Sequence, residues 1–219
     1  DEYMKMIKKL GHYDDVNTFV SDRTSRVLEW HKWREYAVQQ YAWAIPCPSA
    51  IELIRSYLDS GIYEIGAGSG YWARLVTESW NDERYYAYDD RSTHEFKMYW
   101  YNVQWIPLMN GCETLFSCWP SYESTFVQEA INLLQPRRVI YVGEWDGCCA
   151  TPDLSMYKLV KELEIPQHMI GYGFMKIIQV ERFPSGAGQL ITDSDCYYFD
   201  FSVADIVKLE GLEVSADRL

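Results

Sequence analysis

Apolar positions fall at helical spacing over residues 22–42, where Val27, Trp30, Trp33, Tyr36, Ala37 and Tyr41 recur at three- and four-residue steps. Ile45-Pro46-Cys47-Pro48 interrupts that pattern. A second helix is expected over 49–58, with Ile51, Leu53, Ile54 and Leu58 along one side and Gly61 closing it. Residues 1–20 read as weakly structured or as one short helix.

From residue 61 the pattern alternates between short apolar runs and amphipathic stretches. Strands are expected over 61–65, 84–88, 113–118 and 138–142, with a short additional one over 104–108. Helices are expected between them over 70–79, 92–101, 124–134 and 152–163. Two closing strands, 175–183 and 196–202, flank a Ser-Gly-Ala-Gly loop and are expected to pair antiparallel. Strand–helix repetition predicts an α/β fold: a doubly wound, mostly parallel sheet with helices on both faces, ending in an antiparallel pair. The expected organisation is an N-terminal helical extension or lid over 1–44, then a ligand-binding domain over 45–219.

Candidate chemistry is concentrated where the first strand ends. Glu64-Ile65-Gly66-Ala67-Gly68-Ser69-Gly70-Tyr71 follows an apolar strand and opens a helix. Glycine permits a tight turn and lets a ligand approach the backbone, and such folds bind ligands at the carboxyl edge of the sheet. A dinucleotide turn requires GxGxxG. Here the third glycine comes one residue early and Tyr71 holds its place, which argues against a nicotinamide-dependent oxidoreductase. The second strand ends in Asp89-Asp90, where a carboxylate can accept hydrogen bonds from both hydroxyls of a ribose. Asp89 is the first choice for that role and Asp90 the substitute.

The GxGxG spacing, with an acid two residues ahead, resembles the first motif of class I, Rossmann-like methyltransferases that use S-adenosylmethionine. The resemblance covers about residues 45–202. It implies that the turn packs on the amino-acid part of the cofactor, and that Glu64 supports the turn or the cofactor ammonium. It also implies a cofactor site drawn from Glu64, Gly66, Ala67, Gly68, Gly70, Tyr71, Trp72, Asp89, Asp90, Cys118 and Trp119. Cys118-Trp119-Pro120-Ser121-Tyr122 occupies the position of a family segment that often reads Asp/Asn-Pro-Pro-Tyr/Phe in enzymes acting on amino nitrogens. Pro120 and Tyr122 keep their places, while Trp119 replaces the polar acceptor and Ser121 the second proline. By the same resemblance Tyr41, Trp43, Pro120 and Tyr122 are expected to meet the substrate, and Tyr122 and Glu144 to orient it or take its proton. The implied activity is methyl transfer to an unidentified acceptor. Trp119 keeps open the alternative of a cofactor-binding protein without catalysis, and a proline turn with packed aromatics accounts for the segment equally well.

Composition narrows the partners. The sequence has 20 Lys and Arg against 32 Asp and Glu, a net charge of −12, and no basic run. Nonspecific nucleic-acid binding through phosphates is therefore not expected. A small molecule, a protein or a specific nucleic-acid site remains open as acceptor. Nine Trp and 18 Tyr permit an aromatic-walled pocket or an aromatic-rich core. His12, His31, His94 and His168 are scattered, and the six cysteines lack metal-ligand spacing, so no metal is expected. No membrane span or signal-peptide pattern is seen. Reduced thiols in a cytoplasmic protein are expected.

Overall fold

The computed structural model describes residues 32, 34–92, 96–104, 112–145, 147–165 and 175–183. Residues 34–40 are helical, whereas 41–42, the end of the expected 22–42 helix, are not; 22–31 and 33 lie outside the described residues. Helix α1 (Pro48–Arg55) starts with proline in its first turn and buries Ala50, Leu53 and Ile54. Proline suits that place because its missing N–H would have had no helical partner. The chain then passes through a short 3-10 turn (Leu58–Ser60) into β1 (Ile62–Ile65), α2 (Tyr71–Thr77) and β2 (Tyr85–Tyr88). Next come β3 (Thr114–Cys118), α3 (Phe126–Leu134), β4 (Arg138–Glu144), β5 (Tyr157–Glu164) and β6 (Met175–Arg182).

The six strands form one sheet in the order β2-β1-β3-β4-β6-β5. β1 pairs in parallel with β2 and β3, and β3 in parallel with β4. β6 enters antiparallel between β4 and β5. Strand parity divides the core in two. Ile62, Phe116, Ile140, Val142 and Ile177 join the cluster packed with α1 and α2. Tyr63, Ile65, Leu115, Val139, Tyr141 and Ile178 join the opposite cluster with Val127 and Ile131 of α3. Each fully buried aliphatic side chain contributes about 1.5–3 kcal/mol. The fold is Rossmann-like, with helices on both faces.

Arg55 fastens α1 to the end of α2. Its guanidinium donates to Val76 O at 2.8 Å and Leu75 O at 2.7 Å, and pairs with Glu78 at 2.8 Å. It thereby satisfies carbonyls that the end of α2 leaves without helical partners.

Three expectations need correction. Residues 157–164 form β5, where a helix over 152–163 was expected. A register shift between Leu159 and Lys161 breaks the strand's alternation. The extra residue places Tyr157, Leu159, Val160 and Leu163 at a spacing that imitates a helical stripe. Residues 96–101 of the expected 92–101 helix are irregular, held by contacts to the glycine turn. The described antiparallel partner of β6 within the closing pair is β5 rather than 196–202, which lies outside the described residues. The short strand expected over 104–108 is represented by one parallel bridge, Tyr88 to Gln104; 105–108 lie outside the described residues. No described helix is long and apolar enough to cross a membrane.

Candidate functional site at the carboxyl edge of the sheet

The bodies of β1 and β3 are closed to solvent, and the residues at or just beyond the carboxyl ends of β1, β2 and β3 are not. β1 is buried throughout, whereas Gly66 immediately beyond it is exposed and Ala67 and Gly68 are partly so. Asp89 beyond β2, and Cys118 and Trp119 at the end of β3, are also partly accessible. Parallel pairing aligns these three strand ends. The turn, one carboxylate and one indole therefore share one edge of the sheet, the place where open α/β sheets take ligands.

The turn owes its shape to its glycines. Gly66, Gly68 and Gly70 have φ of 70°, 56° and 74°, a region costly for other L residues. Gly70 has a second reason: a Cβ there would lie 2.6 Å from Tyr101 Cβ and 2.9 Å from Val103 Cγ2. The third glycine thus admits the chain at 101–103. At Gly68 a Cβ would come within 2.8 Å of the Phe96 ring. The Gly68 N–H donates to Asp89 Oδ2 at 2.7 Å, and Arg91 N–H donates to Oδ1 of the same carboxylate at 2.7 Å. Asp90 is engaged elsewhere, accepting from the Ser92 N–H and hydroxyl; those hydrogen bonds hold its pKa below the ordinary value. Asp89, not Asp90, is therefore the acid that meets the turn.

Glu64 lies beneath the turn, 1% exposed, and accepts a hydrogen bond from the Tyr85 hydroxyl at 2.9 Å. Burial pushes its pKa up to about 8, against the lowering effect of Tyr85 and aided by the charge of Asp89. At neutral pH the neutral acid predominates. Tyr71 and Trp72 turn into the core at 3% and 2% exposure. The Trp72 ring centroid lies 5.9 Å from that of Phe116. The side chains of these two expected cofactor residues are thus buried in the first turn of α2.

Two outer segments clamp the turn. The Ser69 hydroxyl donates to Tyr41 O, and Trp100 N–H donates to Ser69 O at 2.8 Å. Trp100 Nε1 donates to Gln40 O at 2.6 Å, and the Tyr41 and Trp100 rings stack at 5.6 Å. Tyr41 therefore supports the turn directly. Ser69, Phe96, Trp100 and Tyr101 were missed in the sequence: an expected helix over 92–101 hid the last three, and no motif position marks Ser69.

Just beyond β3, Trp119 has φ 55° and donates its N–H to Val142 O at 2.7 Å, which bends the chain off β3 toward β4. Its indole stacks on Trp43 at 6.0 Å and 12°, and the Arg34 guanidinium lies 5.1 Å from the Trp43 centroid. Pro120 is buried, and its carbonyl accepts from Ala150 N–H at 3.2 Å. Tyr122 is 65% exposed. Glu144, 4% exposed at the end of β4, accepts from Cys148 N–H at 3.1 Å. It thus braces the turn that follows its own strand. Among the described residues no group of three or more His, Cys, Asp or Glu is arranged to hold a metal ion; all four histidines lie outside them.

No protein-family model and no curated protein matches the sequence. Among solved structures the chain is similar to the Burkholderia thailandensis 1,6-didemethyltoxoflavin-N1-methyltransferase with bound 1,6-didemethyltoxoflavin and S-adenosylhomocysteine. The identity is 13%, the match covers 78% of this chain and 89% of that one, and the TM-score is 0.45. It is also similar to magnesium protoporphyrin IX methyltransferase from Synechocystis PCC 6803 with bound SAH, at 11% identity, 62% and 82% coverage and a TM-score of 0.40.

Proposed function

We propose that this chain binds S-adenosylmethionine along the carboxyl edge of β1, β2 and β3 and transfers its methyl group to an acceptor. The observation that carries the reading is the meeting of Asp89 with the turn: a strand-end carboxylate bonded to the backbone of a three-glycine loop, beside an exposed Gly66. In this arrangement Asp89 accepts the ribose hydroxyls, and the backbone at 66–68 packs on the amino-acid part. Glu64 supports the turn from below and keeps charge out of the core.

The cofactor supplies an already activated methyl group, so the protein's contribution is alignment of two reactants and exclusion of water. Trp119 and Trp43 form the wall on the acceptor side. Among the described residues ahead of 45, Tyr41 and Trp43 touch the turn and the wall and serve as a cover. Tyr122 is accessible to an acceptor, whereas Glu144 must give up its hold on Cys148 N–H to take a proton. The acceptor is a small molecule, a protein or a specific nucleic-acid site.

A second reading, cofactor binding without catalysis, is favoured by two observations: an indole, Trp119, occupies the motif position of the polar acceptor, and Glu144 is already engaged. Calorimetric titration with S-adenosylmethionine, and separately with NAD, tests the proposal. Saturable S-adenosylmethionine binding weakened at least tenfold by Asp89→Ala is expected. Preference for NAD, or no binding, overturns it. Turnover in an acceptor screen then separates enzyme from binder.

A further inference from the structure

Cys148 and Cys149 stand next to each other in the loop after β4, one exposed and the other buried. Cys149 is seated firmly. Its Sγ accepts from Glu144 N–H at 3.5 Å and lies against Gly143, where a Cβ would come within 3.1 Å of the sulfur. The two thiols lie close enough to act on each other's titration. Cys149 also forms an isolated antiparallel bridge with Ser121, and Ala150 N–H bonds to Pro120 O. The pair is thereby tied to the segment that carries Trp119.

We infer that Cys148 and Cys149 form a reversible vicinal dithiol–disulfide couple whose oxidation moves the Trp119-Pro120-Ser121 loop. The inference does not depend on the cofactor reading. The co-reactant is a small-molecule disulfide such as oxidised glutathione. The exposed Cys148 sulfur attacks it, one S–S bond breaks, and the first reduced thiol leaves. The Cys149 sulfur then attacks the mixed disulfide on Cys148, the second reduced thiol leaves, and one S–S bond joins the two residues. The two cysteine protons end on the two departing thiols, and the two electrons given up by the cysteines reduce the reagent.

Geometry makes this bond reversible. Neighbouring Cα atoms across a trans peptide are about 3.8 Å apart, shorter than the roughly 4.4–6.8 Å usual for a disulfide. Closing the ring strains the intervening peptide, and strained disulfides are the readily reduced kind. The strain falls on Cys148 N–H, held by Glu144, and on Cys149, bridged to Ser121. Burial pushes the thiols up, to about 12 for Cys148 and about 11 for Cys149. Exchange requires the thiolate, so the couple equilibrates slowly and is not a fast peroxide sensor.

The test equilibrates the full chain in glutathione buffers of rising oxidised fraction, followed by acid quench, alkylation and tryptic mass analysis. Cleavage after Arg138 and Lys158 gives a peptide whose only cysteines are this pair. The expected result is loss of two hydrogens from that peptide, restored by reduced glutathione. Cys149→Ser should stop at one glutathione on Cys148, and Cys148→Ser, at an exposed position, should give neither product. Tryptophan emission should change on oxidation of the native chain and change less in Trp119→Phe. A stable glutathione adduct on native Cys148, a cross-link between chains, or no reaction overturns the couple. Oxidation without an emission change overturns its link to the loop.

Discussion

The Gly68 N–H and the Asp89 carboxylate lie 2.7 Å apart and join the first strand's turn to the end of the second strand. Asp89→Ala removes both this bond and the ribose acceptor. It is expected to weaken S-adenosylmethionine or S-adenosylhomocysteine binding at least tenfold, a difference of about 1.4 kcal/mol or more. Asp90→Ala, which loses only a local turn with Ser92, should change affinity less than threefold by the same calorimetric titration.

Glu64 gives stability a pH dependence of definite sign. Its pKa in the folded chain is about 8, above the ordinary 4.5. Between these values the folded state holds a proton that the unfolded state has released. The stabilising contribution is therefore complete below about pH 4.5, declines as pH rises, and is gone above about pH 8. Urea unfolding at several pH values should show that decline, and Glu64→Gln should flatten it. An unchanged slope in the variant would assign the effect to other groups.

Two glycines with similar φ but different ψ, 128° at Gly61 and 21° at Gly70, should respond differently to alanine. Gly61 has φ 83° and nothing within 4 Å of a would-be Cβ, while Gly70 has φ 74° and Tyr101 at 2.6 Å. Gly61→Ala should cost about 1–3 kcal/mol, the backbone penalty alone. Gly70→Ala should cost at least about 1–3 kcal/mol more, because the turn and residues 101–103 must separate. Thermal or urea denaturation measures both.

Trp72 tests how the core treats an unpaired donor. Its Nε1 is buried without a hydrogen-bond partner among the described residues. Trp72→Phe removes that donor along with some apolar area, so the net change should stay within about 1 kcal/mol. Trp72→Ala should cost about 3–5 kcal/mol. If Trp72→Phe proved as damaging as Trp72→Ala, the indole N–H would have to be paired.

The parallel half of the fold was readable because its signals are local. β1, β3 and β4 are short, mostly apolar runs, and the glycine turn announces itself by spacing. β5 was not readable, because its bulge replaces period two with an irregular spacing. The segment at 96–103 was not readable either. Phe96, Trp100 and Tyr101 are fixed by Gly68, Ser69, Gly70 and Gln40, partners remote in sequence. For the site, Asp89 was placed correctly at its strand end, but the inward rotation of Tyr71 and Trp72 depends on the phase of α2. The open rim was legible; which neighbours of the rim face inward was not.

The position of β6 has a consequence for how the chain assembles. β5 leaves synthesis before β6 yet touches β4 only through it. Until residues 175–182 have emerged, β4 presents an unpaired edge and β5 is a strand without a sheet. The parallel strands β2-β1-β3-β4 can order first, and their exposed edge is a template for any extended segment nearby. The last described strand is thus a wedge that removes the nascent chain's vulnerable edge and recruits its predecessor in one step.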